Sequence, residues 1–125
     1  MRVLVCGGRD YRKVDVLFAA LDRFHADTPI TLVIHGAASG ADRLAAHWAK
    51  SRRVRAIYYR ADWQEHGRSA GPIRNQRMVD QARPQYVIAF PGGVGTADMV
   101  RRARTADIPV VEIPADYRAE RPRTT

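Results

Sequence analysis

A chain of 125 residues with a single cysteine, Cys6, excludes a disulfide framework and a multi-cysteine metal site, and its length suits one domain that buries its core unaided. A formal net charge of +8 points to anionic partners, either nucleic acid or small phosphorylated ligands, although Lys13 and Lys50 are the only lysines and many of the arginines fall on helix faces. No apolar run approaches the roughly eighteen residues that cross a bilayer, and the opening MRVLVCGGRDY lacks signal-peptide architecture, so a cytoplasmic chain with no membrane partner is expected.

In chain order, the apolar run 2–6 predicts a first strand that leads into the small-residue turn CGGRDY. A helical stripe of Val16, Leu17, Ala20, Leu21 and Phe24 follows, then a second strand over 30–35 and a second turn, HGAASGAD. Leu44, Ala45, Trp48 and Ala49 mark the second helix, and 54–59 the third strand. Residues 60–71, RADWQEHGRSAG, show no periodicity and are long for a connection, which makes them a candidate functional loop. A helix opening at Pro72 carries Met78, Val79 and Ala82, and 85–90 is the fourth strand. The third turn, PGGVGTAD, enters a helix marked by Met99, Val100, Ala103 and Ala106, and 108–113 is the last strand.

The strand runs are short and almost continuously apolar, as strands covered on both faces are. Their alternation with helices predicts an α/β fold, a Rossmann-like three-layer sandwich around a mainly parallel sheet of about five strands. One domain over 1–114 and a polar, basic tail over 115–125, expected to fray, complete the organisation.

In a parallel sheet every strand-to-helix turn lies at the carboxyl edge, so the small-residue turns should converge on one crevice. Gly7, Gly8 and Arg9 come from the first. In the second, Gly36 and Gly40 bracket a compact bend in which Ser39 can cap the helix or donate to a phosphate oxygen, and Asp42 stands near the helix start. In the third, after Pro91, the glycines Gly92, Gly93 and Gly95 let the backbone wrap an anion while Thr96 supplies a hydroxyl. No turn fits a Walker loop, and the first does not fit the dinucleotide fingerprint. Together they predict a nucleotide or ribose-phosphate ligand.

VCGGRDY, HGAASGAD, AGPIRNQRM and FPGGVGTADM, in this order and spacing, resemble the SLOG superfamily of Rossmannoid nucleotide-binding domains, and within it the small YspA-like branch. The resemblance spans residues 1 to about 113 and implies relatives of two kinds: LOG-type phosphoribohydrolases, which cut the N-glycosidic bond of nucleoside 5′-monophosphates, and DprA, which binds single-stranded DNA. In the phosphoribohydrolases an arginine ahead of the glycine loop and a glutamate three residues after its threonine carry the reaction. The resemblance places Arg74, with Asn75 beside it, at the arginine, but Met99 stands where the glutamate belongs.

A methionine can neither stabilise an oxocarbenium-like centre nor activate water. Asp98 is the nearest carboxylate, yet adjacent helix positions point about 100° apart. Arg74 and Asp98 are therefore the catalytic candidates if the chain is an enzyme, with Asp10, Asp42 and Asp62 as further carboxylates beside the crevice. Arg9, Arg68 and Arg74 are candidate phosphate partners, because guanidinium pairs bidentately with phosphate. Tyr11 and Trp63 could stack on a base, and Trp48 or Trp63, if exposed, could serve the homodimer that the relatives imply.

His35 reads as a satisfied strand-end histidine that could also face a ligand. His25, His47 and His66 show no metal-ligand spacing, so neither metal nor cofactor is expected. Cys6 reads as a small buried thiol. The expected function is binding of a nucleotide or ribose-phosphate, with a role in nucleotide signalling implied by the resemblance. A phosphoribohydrolase-like enzyme and a single-stranded DNA-binding protein, the latter most evident at low salt, are the alternatives.

Overall fold

In the computed structural model, which describes residues 1–118, the strands are β1 (Arg2–Cys6), β2 (Leu32–His35), β3 (Arg55–Tyr58), β4 (Tyr86–Ala89) and β5 (Val110–Glu112). All pair in parallel, in the spatial order β3-β2-β1-β4-β5. The order reverses at β1, and the crevice at such a switch point is where open α/β sheets take their ligands.

The helices are α1 (Val14–Asp27), α2 (Ala41–Ser51), a short α3 (Trp63–His66), α4 (Ala70–Arg77) and α5 (Val94–Thr105). Side chains alternate across a strand, and both faces of this sheet are covered. Val3 and Val5 face a core shared with Leu17, Leu21, Ala45 and Trp48 of α1 and α2. Leu4 and Cys6 face the other way, onto a core with Met78, Val79, Met99 and Ala103. That is why β1 reads as an unbroken apolar run.

Three details differ from the sequence reading. Residues 60–71 are not a structureless loop: they hold α3, a 3-10 turn over Gly67–Ser69 and the start of α4. Pro72 is the third residue of α4 rather than its first, still within the turn whose N–H groups lack intrahelical acceptors, so its missing donor does no harm there. The helix then widens into a π-helical turn, Met78–Ala82, before ending at Arg83 in the left-handed region.

Trp48 has no part in any surface contact. It is 0% exposed, and its Nε1–H donates to Asp22 Oδ1 at 2.8 Å. Trp63, at 47% exposed, is the accessible tryptophan. Among the described residues no helix is long and apolar enough to cross a membrane. Most of the expected tail, 115–125, lies outside the described residues.

Candidate functional site

The turns after β1, β2 and β4 meet at Gly8. Its N–H donates to the Pro91 carbonyl at 2.9 Å, and its carbonyl accepts the N–H groups of Ala41 at 3.1 Å and Tyr11 at 3.2 Å. Gly40, at φ +76°, packs against this clasp so closely that a Cβ there would run into the Gly8 oxygen and the Arg9 carbonyl group. A Cβ on Gly92 would strike Thr96 Oγ1 and lie 2.7 Å from the Gly8 nitrogen. Ser39 Oγ donates to the Arg9 carbonyl at 3.1 Å and makes no cap to α2. Ser39, Gly40, Pro91 and Gly92 thus build the frame.

The frame borders a cavity of about 630 Å³ at the carboxyl edge of the sheet. Gly7, Gly8 and Gly36 contribute backbone to its wall, and Gly93, Gly95 and Thr96 contribute the first turn of α5. A Cβ added at Gly93 or Gly95 would meet nothing within 4 Å, so the space beside that turn is open. A helix start offers unpaired N–H groups and the positive end of its dipole. Arg9, Arg68 and Arg74 border the same cavity, and Trp63 lies at its rim with the Arg9 guanidinium 5.0 Å from its ring centroid.

Asp42 is buried beneath the second turn. Its Oδ2 accepts the N–H groups of Gly36 at 2.9 Å and Ala38 at 3.3 Å, so those donors point at a carboxylate of the chain itself rather than outward to an anion. Burial pushes the Asp42 pKa up to about 6, against the Ala38 N–H, the Arg74 charge, the Gly36 N–H and the Arg9 charge, which all favour the ionised form. In sequence this residue reads equally well as a simple dipole partner of α2.

Residues 1–66, which include the first two turns, Asp42 and Trp63, match the family model described as YspA, cpYpsA-related SLOG family. The chain belongs to this family. The Gene 61 protein of Mycobacterium phage D29 is 40% identical over 118 residues, covering 88% of this chain and 94% of the phage protein. Membership of the SLOG family points to a nucleotide-related function, and the name of the phage protein carries no activity.

In this SLOG chain Arg74 and the third turn lie beyond the matched segment. Arg74 Nη1 donates to the Gly36 carbonyl at 2.7 Å and Nε to Asn75 Oδ1 at 3.0 Å, while Nη2 has no acceptor among the described residues. Burial lowers the Arg74 pKa from its ordinary value, and the Asp42 carboxylate acts in the opposite direction. A guanidinium stays charged at neutral pH even so.

Asp98 also borders the cavity, but its oxygens are taken. Oδ1 accepts Arg101 at 2.6 Å, and Oδ2 accepts Arg102 at 2.8 Å and Asn75 Nδ2 at 3.0 Å. Burial alone would raise its pKa, and the hydrogen bonds from Arg102 and Asn75 outweigh that and hold it below the usual carboxylate range. Met99 is buried in the core under β1 and β4. Arg101 and Arg102, two of the arginines that fall on a helix face, are the partners that fix Asp98 in place.

The remaining candidates lie elsewhere. Asp10 is exposed and Asp62 caps α3 by accepting the Glu65 N–H at 3.1 Å. Tyr11 is buried with its ring 5.4 Å from that of Phe90, so it is not free to stack on a base. His35 Nδ1 accepts the Ala37 N–H at 3.0 Å, its ring stacks on Tyr58, and burial lowers its pKa, which favours the neutral imidazole. Burial pushes the Cys6 thiol far up, with the Asp42 and Glu112 charges adding to the shift. Cys6 is therefore expected to resist thiol reagents at neutral pH in the folded protein and to react on unfolding, which alkylation followed by mass spectrometry reads directly.

Proposed function

We propose that this protein binds a nucleotide or a related ribose-phosphate, with the phosphate at the first turn of α5 and Arg74 as its cationic partner. The observation that carries this reading is the open space at Gly93 and Gly95 beside that turn, in a cavity that also receives Arg9, Arg68 and Arg74. Unpaired backbone donors, a helix dipole and guanidinium groups together favour an anion. The volume of about 630 Å³ is in the range of small-molecule sites, which span about 300–1,000 Å³.

Binding without turnover suits a sensor in nucleotide signalling. Glycosidic cleavage needs a carboxylate at the reacting carbon, whereas the Asp98 oxygens are engaged by Arg101, Arg102 and Asn75, Met99 is buried, and the other carboxylate lining the cavity, Asp42, is anchored in the second turn, on the side away from the Met99 position.

The test is a thermal-shift panel of nucleoside monophosphates, ADP-ribose, NAD and short single-stranded DNA on the wild type and on Arg74→Ala. A ligand at a hundred times its dissociation constant adds about 2.7 kcal/mol, which moves the melting point by several degrees. The expected result is a nucleotide-specific rise in the wild type that Arg74→Ala loses. No rise with any nucleotide, or a rise with DNA alone at low salt, overturns the reading, and release of free base from a monophosphate would replace the sensor by an enzyme.

A further inference from the structure

Asp42 offers the cavity a group that the phosphate arrangement does not use. Oδ2 is anchored by the Gly36 and Ala38 N–H groups, while Oδ1 accepts no hydrogen bond from any described residue. Among the described residues no fully buried side-chain oxygen lacks a partner, so Oδ1 opens onto the cavity that Asp42 lines. Arg74 favours the ionised form of Asp42 by its charge but makes no hydrogen bond to it, since its hydrogen bonds go to Gly36 and Asn75. A fixed carboxylate oxygen with no hydrogen-bond partner among the described residues thus stands in the wall of a cavity whose other charged residues are Arg9, Arg68, Arg74, Arg101 and the already engaged Asp98.

Such an oxygen accepts from a ligand hydroxyl, an ammonium or a base N–H. The surrounding arginines oppose a cationic ligand. A guanine edge presents two parallel donors and needs both carboxylate oxygens, one of which is already held by two backbone donors. Sugar hydroxyls are neutral, and one oxygen can serve two of them. The placement agrees: Gly8 bonds to Ala41 on one side and Pro91 on the other, so the turn bearing Asp42 and the first turn of α5 are neighbours, as a sugar and its own phosphate are.

Resting on the binding reading above, we infer that Asp42 holds the 2′,3′-diol of the ligand's ribose, so that the site selects ribonucleotides over deoxyribonucleotides. Asp42→Asn separates this role from the scaffold. The two backbone N–H groups require an acceptor, so the amide oxygen takes the place of Oδ2 and the amide NH₂ faces the cavity as a donor. The loop keeps its anchor and the diol loses its charged acceptor.

The experiment titrates wild type and Asp42→Asn with the four ribonucleoside 5′-monophosphates and with their 2′-deoxy and 3′-deoxy counterparts. A hydrogen bond to a charged group predicts that the wild type binds the deoxy forms about ten- to a hundredfold more weakly. In Asp42→Asn that ratio should shrink by about tenfold, because at most a neutral hydrogen bond from the amide to a sugar hydroxyl replaces the charged one. A second readout needs no variant: the wild-type ratio should fall as the pH drops below about 6 and Asp42 is protonated. Arg9, Arg74, the Cys6 thiol and the Gly36 and Ala38 N–H groups surround Asp42, and the ligand phosphate titrates alike in both sugars, so the ratio isolates Asp42. Equal wild-type affinity for ribo and deoxy forms, or a ratio unchanged in Asp42→Asn, overturns this inference and leaves the binding reading standing. Failure of every nucleotide to bind overturns both.

Discussion

Alanine at Gly40 is expected to destabilise the protein by about 3–5 kcal/mol, whereas alanine at Gly95 should stabilise it by about 0.5–1 kcal/mol and weaken nucleotide binding. Both residues belong to small-residue turns, and only their surroundings differ. At Gly40, φ is +76°, and an added Cβ would run into the Gly8 oxygen and the Arg9 carbonyl group. These are backbone atoms of the clasp that joins the turns, so relief requires the whole junction to shift. Gly95 is the second residue of α5, and its Cβ would meet nothing within 4 Å. There glycine loses helix propensity and gains nothing from packing. The position makes sense if a ligand comes close to the backbone. Urea unfolding of both variants, with the binding panel repeated on Gly95→Ala, separates the two kinds of glycine. Equal destabilisation at both sites would contradict the geometry, and unimpaired nucleotide binding by Gly95→Ala would remove the phosphate from the α5 turn.

The fold was legible because its signals are local. Continuous apolar runs follow from a sheet covered on both faces, and the helix stripes follow from period 3.6. The convergence of the turns was legible from parallel topology alone. What failed to show were residues whose partners are distant or could be read in two ways. Tyr11 looked like a loop aromatic because nothing in CGGRDY reveals that its N–H closes on Gly8 and places its ring on Phe90. Trp48 is a different case: it lies on the apolar stripe of α2 and could have been assigned to the core. The capture of Asp98 was half legible. Arg101 and Arg102 stand at i+3 and i+4, the spacing at which helix side chains meet, whereas Asn75 arrives from α4. Asp42 resisted because an aspartate near a helix start has several local acceptor roles, and only the path of 36–40 reveals which N–H groups it takes.

The same Asp42 predicts that this protein gives up stability at its site. Its pKa rises from 3.8 to about 6 in the folded state, so the folded protein holds that proton more tightly than the unfolded chain. Below about pH 4 both states are protonated and the burial carries no ionic penalty. As the pH climbs from about 4 to 6 the unfolded chain ionises first, stability falls, and above about 6 the penalty is complete. A rise of about two units corresponds to about 3 kcal/mol. Asp42→Asn escapes that penalty, though an amide oxygen accepts the Gly36 and Ala38 N–H groups less strongly than a carboxylate does. The net expectation is a variant about 1–2 kcal/mol more stable than wild type at pH 8, with the advantage fading as the pH falls from about 6 to 4. Chemical denaturation of both proteins across this range measures it. A variant that gains stability above pH 6 while losing preference for ribose would identify Asp42 as a charge kept for a ligand rather than for the fold. A variant that is less stable than wild type at every pH would mean that the carboxylate is needed to hold the second turn.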